Sequence, residues 1–303
     1  MYYLQKICIL IENEEERQAM DASAEHWKKA GIEVEHEEDF DAALRSPGDE
    51  GEPRGLGEKV LYVTDSGEMA RKLLIGGSAV LVWLHERNRA QSFVGVKYAF
   101  EDPEALDTEY MERVYRRYVG IPWDILETER CLLRETVEED VPAFYKIYSE
   151  PVITAYMEDL FENPEDELAY TRDYREKVYE FYGFGIWTVI KKDTGEIIGR
   201  AGCTYREGFD DPELGFVIGV PWQRSGYAEE VCRAILKYAK EYLGFERMQA
   251  FVKEGNEASV RLCEKLGMRE TERISLTDNY MEKAKGCAFD SAIHICFVKE
   301  ISP

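Results

Sequence analysis

The sequence predicts an α/β protein in two parts: a small Rossmann-like α/β domain over residues 1–126, and a larger domain over 127–303 with a mixed, mostly antiparallel sheet. Three observations carry this. A chain of 303 residues exceeds the ~100–150 residues at which compact domains cluster. Its first 126 residues alternate short apolar strands with amphipathic helices. Between residues 184 and 220, three strands follow one another with no helix between them. The composition, 45% hydrophobic and 33% charged, is that of a chain with a packed core, and it excludes wholly disordered and collagen-like proteins.

In the first part, KICILI (6–11) reads as a buried strand and EEERQAMDASAEHWKKA (14–30) as one helix closed by Gly31. A second strand starts at 32 and runs toward 40. RSPGDEGEPRGLGE (45–58) has almost no apolar residue and reads as an exposed loop. KVLYVTDS (59–66) is a buried strand stopping at Asp65-Ser66-Gly67, followed by a short helix over 68–75 and the strand AVLVWLHE (79–86). A helix over 106–120 sets Tyr110, Val114, Tyr118 and Val119 on one face. IPWDILETER (121–130) reads as the joint.

The second part opens with a strand (131–134), a helix (138–149) and an acidic, aromatic-rich helical stretch (165–182). Strands 184–192, 196–205 and 213–220 come next. DTGE (193–196) joins the first two as a hairpin, with Gly195 supplying the positive φ of the turn. A helix from Gly226 to Leu243, a strand (247–253), a helix (257–266) and two strands around 269–276 and 288–299 complete the chain.

Lys and Arg number 38 against 61 Asp and Glu, a formal charge of -23. Such a surface repels phosphate backbones and anionic headgroups, so neither nucleic acid nor membrane is expected as a partner. It would attract cationic small molecules or basic peptides, although acidity also serves solubility. No apolar run approaches the ~18–20 residues of a membrane span, and the amino terminus turns acidic where a signal peptide would stay apolar, so a cytoplasmic protein is expected. The seven cysteines (Cys8, Cys131, Cys203, Cys232, Cys263, Cys287, Cys296) contain no CxxC pair and read as reduced core thiols. His26, His36, His85 and His294 show neither HExxH nor HxH spacing, and no metal site is expected.

The informative segment is ELGFVIGVPWQRSGYAEEVCRAILKYAKEYL (213–243), a strand, a tight turn and a long amphipathic helix. A helix amino terminus offers unpaired N–H groups and a positive dipole end. The turn Gln223-Arg224-Ser225-Gly226-Tyr227-Ala228 therefore suits an anion such as pyrophosphate, with Gly226 and Ala228 small enough for close approach. A glycine at such a junction also marks ordinary turns. Downstream, Asn256-Glu257-Ala258-Ser259 precedes KLGM (265–268).

On these two motifs and the order of elements, residues 129–300 resemble the GCN5-related N-acetyltransferases, particularly the branch with the ribosomal-protein alanine acetyltransferases. Gln223, Gly226 and Ala228 match the Q/R-x-x-G-x-G/A signature, and Asn256 to Ser259 match N-x-x-S before a Leu-Gly-Phe-type helix end. The resemblance implies strands 213–219 and 247–253 splayed apart, with acetyl-CoA as co-substrate in the gap. Its pantetheine would pair with backbone near Val217, Ile218 and Gly219. Its pyrophosphate would sit on the amides of residues 224–228, with Arg224 adding a charged contact, and Asn256 would bond the pantetheine or the leaving sulfur.

The resemblance also implies direct attack by a primary amine, without an acyl-enzyme, so that a base and a group serving the leaving thiolate are needed. Glu213 occupies the place of a familial glutamate base; its other reading is a solvent-facing carboxylate at a strand end. Asp278 is a second candidate. Many relatives carry a tyrosine before the Leu-Gly-Phe end, where this chain has Cys263. Ser259 then either assists the thiolate or is an ordinary first-turn residue. The acceptor wall falls on 150–182, where Tyr156, Glu158, Asp159, Phe161, Tyr170 and Tyr174 suit a cationic amine, although solvated helix faces share that composition.

The segment YVTDSGEMARKLL (62–74) gives the first part a loose likeness to haloacid-dehalogenase-like or receiver-like cores. The DxDxT aspartates of such a phosphatase are absent, and Asp65 and Ser66 either line a crevice or cap the next helix. The first part is therefore expected to be non-catalytic. The function expected is acetyl transfer from acetyl-CoA to a primary amine, on a protein amino terminus or a small molecule. The rivals are a catalytically weak acetyl-CoA-binding sensor and, disfavoured by the missing aspartates, a phosphoryl-handling enzyme.

Overall fold

Five parallel strands build the first sheet: β1 (Lys6–Leu10), β2 (Glu33–His36), β3 (Val60–Thr64), β4 (Ala79–Trp83) and β5 (Ala99–Phe100), in the order β2-β1-β3-β4-β5. The structure is a computed structural model that describes residues 2–37, 59–276 and 292–301. It divides into two units, Met1–Trp123 and Asp124–Pro303. The first sheet is joined by α1 (Glu14–Ala19), α2 (Asp21–Lys29), α3 (Gly67–Ile75) and α4 (Thr108–Tyr118).

Side chains alternate across a strand, so a sheet of continuous apolar strands needs cover on both faces. Ile7, Ile9, Leu61, Val63 and Leu81 pack with Trp27 of α2 and with Met111, Val114 and Tyr115 of α4. Cys8, Leu10, Tyr62, Val80 and Val82 pack with Met69, Ala70 and Leu73 of α3. This is a doubly wound arrangement whose strand order switches between β1 and β3.

Past the strand ends of this unit, His85 Nε2 lies 3.2 Å from Asp65 Oδ2 and His85 Nδ1 lies 3.4 Å from Glu16 Oε1. Arg87 Nη1 is 3.2 Å from the same Glu16 oxygen. Three potential metal-ligating side chains thus meet from separate segments, a grouping that motif spacing could not reveal. Arg87 pairs with Glu16 in the same group. Ser66 is a helix cap, its Oγ accepting from Met69 N at 3.3 Å, whereas Asp65 faces His85.

The helix read over 14–30 is two helices. Met20 N donates to Arg17 O at 3.1 Å, a tighter turn that swings the fully buried Met20 into the core. The loop read over 45–58 and the end of the strand read over 32–40 lie outside the described residues.

The second unit contains β6 (Asp124–Glu127), β7 (Cys131–Arg134), α5 (Val141–Tyr148), α6 (Pro151–Thr154), α7 (Pro164–Tyr174), α8 (Glu180–Tyr182), β8 (Ile186–Lys191), β9 (Ile197–Thr204) and β10 (Glu213–Ile218). α9 (Tyr227–Glu241), β11 (Arg247–Lys253), α10 (Glu257–Lys265), β12 (Arg269–Ser275) and β13 (Ile293–Glu300) follow. The sheet order is β12-β13-β11-β10-β9-β8-β7-β6. Residues 121–130, read as a joint, contain the edge strand β6 paired with β7. The stretch 165–182 is interrupted by a π-helical segment, Arg175–Tyr179. That segment turns Tyr179 inward, where its hydroxyl accepts from Thr136 N at 3.2 Å and donates to Ile186 O.

Adjacent strands in this sheet are antiparallel except β10 and β11, which are parallel and share a single rung, Glu213 opposite Gln249. Beyond that rung they part. α9 packs Val231, Cys232, Ile235 and Ala239 into the core, with Tyr238 edge-on to Trp187 at 5.7 Å. Phe144, Ile147, Tyr148, Ile153, Leu160 and Val217 form a separate cluster. Full burial of each such aliphatic or aromatic side chain contributes about 1.5–3 kcal/mol.

The six cysteines among the described residues are free and buried. Burial pushes the Cys131 thiol up to about 11 and those of Cys203 and Cys263 up to about 12. Among the described residues, no helix is long and apolar enough to cross a membrane.

Candidate active site

β10 ends at Ile218, and Gly219 leads through a short 3₁₀ turn (Val220–Trp222) into α9. Gln223 Nε2 donates to Ile218 O at 2.9 Å, folding the turn back on the strand end. Arg224 and Gly226 both take left-handed backbone, φ +57 and +83. For arginine this costs on the order of 1 kcal/mol, while glycine adopts it freely. The consequence is a row of amides: among the described residues, the N–H groups of Arg224, Ser225, Gly226, Tyr227 and Ala228 have no hydrogen-bond acceptor. They stand at the positive end of a 15-residue helix, an arrangement able to hold a diphosphate.

Arg130, which the sequence reading did not single out, braces this turn. Its Nη1 donates to Ser225 O at 3.0 Å, its Nε and backbone N–H donate to Glu230 at 2.6 and 2.9 Å, and its guanidinium lies 4.2 Å from the Tyr227 ring centroid. A Cβ on Gly226 would meet Arg130 Nη2 at 3.4 Å. For Glu230, burial works to raise the carboxyl pKa, but hydrogen bonds from Thr128 and from Arg130 outweigh it and hold it below the usual range. Arg130 follows no motif; it stands in the turn between β6 and β7 and reaches the head of α9 only in the fold.

The opening between β10 and β11 belongs to a cavity of about 1370 Å³. Val217, Ile218, Gln223, Arg224, Gly226, Tyr227 and Ala228 line it, as do Asn256 and Ser259 at the head of α10. Gly219 and Ser225 lie in the same connection. Asn256 Oδ1 caps α10, accepting from Ser259 N at 3.1 Å, which leaves its amide Nδ2 as a donor. The cavity thus gathers a backbone anion cradle, a strand edge without a partner and two polar side chains.

Glu213 sits at the closed end of the opening and is bound by Arg206, Nε to Oε2 at 2.7 Å and Nη2 to Oε1 at 3.3 Å. Both carboxylate oxygens are therefore engaged. His294 on β13 also lines the cavity. Its Nδ1 is 3.0 Å from Ala292 O, which assigns the proton to Nδ1 and leaves Nε2 as acceptor. Burial, with Arg206 and Lys253 nearby, holds the imidazole below its ordinary value, opposed by the Ala292 hydrogen bond and Glu213. The sequence reading weighed His294 only as a metal ligand. Asp278 lies outside the described residues. Cys263 is fully buried and is not among the cavity-lining residues. On the acceptor side, Tyr156, Glu158, Asp159, Tyr170 and Tyr174 line the cavity. Phe161 packs against Tyr170 at 6.0 Å and is not part of the lining.

Residues 130–269 match the family model of the acetyltransferase (GNAT) domain. YoaA of Bacillus subtilis (strain 168), named an uncharacterized N-acetyltransferase, is 31% identical over 149 residues, covering 48% of this chain and 83% of that protein. The protein p20 of Bacillus licheniformis, similarly named, is 28% identical over 171 residues, covering 55% of this chain and 92% of its own. Among solved structures, a GNAT-family acetyltransferase from Bacillus anthracis matches 58% of this chain and 98% of its own with a TM-score of 0.47 and 22% identity. The chain belongs to the GNAT acetyltransferase family, whose members are N-acetyltransferases with acetyl-CoA as co-substrate.

Proposed function

We propose that this protein transfers the acetyl group of acetyl-CoA to a primary amine by direct attack, with residues 213–228 and 256–259 as the working surface. The observation that carries this is the row of acceptor-free amides from Arg224 to Ala228 beside the single-rung junction of β10 and β11. The amides, with Arg224, hold the diphosphate. The exposed strand edge near Val217, Ile218 and Gly219 pairs with the pantetheine, and Asn256 donates Nδ2 to it. Bound there, the co-substrate supplies an activated acyl group.

His294 Nε2 receives the ammonium proton: its Nδ1–H is committed to Ala292 O, which leaves Nε2 as an acceptor in the cavity, while Arg206 occupies both oxygens of Glu213. Ser259, whose hydroxyl has no hydrogen-bond partner among the described residues, lies in the first turn of α10 and donates toward the leaving sulfur. All of these residues belong to the second unit. The test is calorimetry with acetyl-CoA together with thiol release across a panel of amines. Binding with turnover supports transfer; binding without turnover favours the acetyl-CoA sensor; no binding removes both.

A further inference from the structure

Arg200 lies mid-strand in β9, opposite Thr188 of β8 and Val217 of β10. Its guanidinium is 4.7 Å from the ring centroid of Phe144 on α5, and it hydrogen-bonds the buried Tyr148 phenol. Its Nε is buried without a hydrogen-bond partner, and among the described residues no carboxylate is ion-paired with it. Glu167, the nearby buried carboxylate, accepts instead from Phe161 N at 3.0 Å. A permanently charged fork with an open N–H is costly to shelter unless an anion meets it.

That fork lines the same cavity as the acetyl-transfer surface, beside Tyr148, Tyr170 and Tyr174, while Glu158, Asp159 and Glu207 line other parts of it. We propose that the acceptor is an amino acid, whose carboxylate is received by Arg200 and whose amine is presented to the thioester. This rests on the acetyl-transfer reading above. The cavity carries charges of both signs, as a zwitterion's complement must: Arg200, Arg206, Arg224, Lys253, Arg261 and Lys265 line it together with Glu158, Asp159 and Glu207. Arg200 pairs in register with Val217 on the neighbouring strand, the strand whose edge is assigned to the pantetheine. A long polyamine has no anion to offer the fork, and a protein amino terminus carries no free carboxylate beside its amine.

The experiment compares free amino acids, their carboxamides and simple diamines as acceptors for the intact protein, by thiol release, and measures amino-acid binding by calorimetry. The expected result is that acids exceed their carboxamides at least tenfold in kcat/KM, a comparison needing no variant. In Arg200→Gln that preference should fall to about onefold, with acetyl-CoA affinity unchanged, and Arg200→Lys should restore part of it. The binding heat of the amino acid should be lost in Arg200→Gln. Equal or better turnover of carboxamides or diamines overturns the carboxylate assignment and leaves acetyl transfer standing. Acetyl-CoA bound with no amine turned over, or no acetyl-CoA bound at all, overturns the two together.

Discussion

Glu213 and Arg206 form a two-pronged ion pair at the single rung where β10 meets β11, with contacts of 2.7 and 3.3 Å. A carboxylate held in this way fixes the apex of the opening. Glu213→Gln is expected to destabilise the protein by about 2 kcal/mol, the scale of a hydrogen bond to a charged group. It should leave the pH profile of kcat in place. Thermal melting and a pH–rate series check this, and loss of a titrating limb would restore Glu213 as the base.

Gly226 has φ +83 at the head of α9. Gly226→Val forces a β-branched residue into left-handed backbone, at a cost of about 1–2 kcal/mol, and thrusts a side chain against the Arg130 fork. Acetyl-CoA affinity measured by calorimetry should fall at least tenfold, with the melting temperature lowered by only a few degrees. Unchanged affinity would refute the cradle.

Arg130→Ala removes the brace under Ser225 and the partner of Glu230. The KM for acetyl-CoA should rise about tenfold, and Arg130→Lys should recover little, lacking the planar fork. The same variant has a pH signature. Because the folded Glu230 pKa is depressed, its stabilisation is present above the ordinary carboxylate value and is lost as pH falls through the lowered one. Melting temperature against pH should therefore drop less steeply on the acid side in Arg130→Ala than in the parent.

His294 is held below its ordinary value of 6.5, chiefly by burial. It is therefore neutral at pH 7 and gains a proton only in more acid solution. The rate should fall on an acid limb below 6.5, and in His294→Gln that limb should vanish along with at least tenfold of kcat. An unaltered limb would exclude His294 as the proton acceptor. Arg206 and Glu213, which face it, stay paired with each other in this variant.

The strand-turn-helix junction was legible because its signal is local: Gly226, Ala228 and the helix they open are consecutive. The strands of the first sheet were legible because buried parallel strands read as unbroken apolar runs, and those at 184–220 because short apolar runs follow one another with turn residues between them. What escaped notice was assembled by the fold. Arg130 reaches the turn from the β6–β7 connection, His294 from β13, and Arg200 is placed against Phe144 and Tyr148 only when α5 packs on β9. The break at Met20 and the π-helical segment around Tyr179 were likewise invisible, since each is driven by a tertiary contact while local helix propensity runs straight through. Cys263 shows the converse, standing where a familial tyrosine is expected yet sealed in the core.

The sealed sulfurs have a practical side. Thiolate is the reactive form of cysteine, and Cys131, Cys203 and Cys263 are shifted to about 11, 12 and 12. While the protein stays folded, these three should be nearly silent toward disulfide dyes and so add little to the colour that coenzyme A develops when set free in solution. The same silence turns into a clock on unfolding, because each sulfur that becomes reactive reports that the core around it has opened.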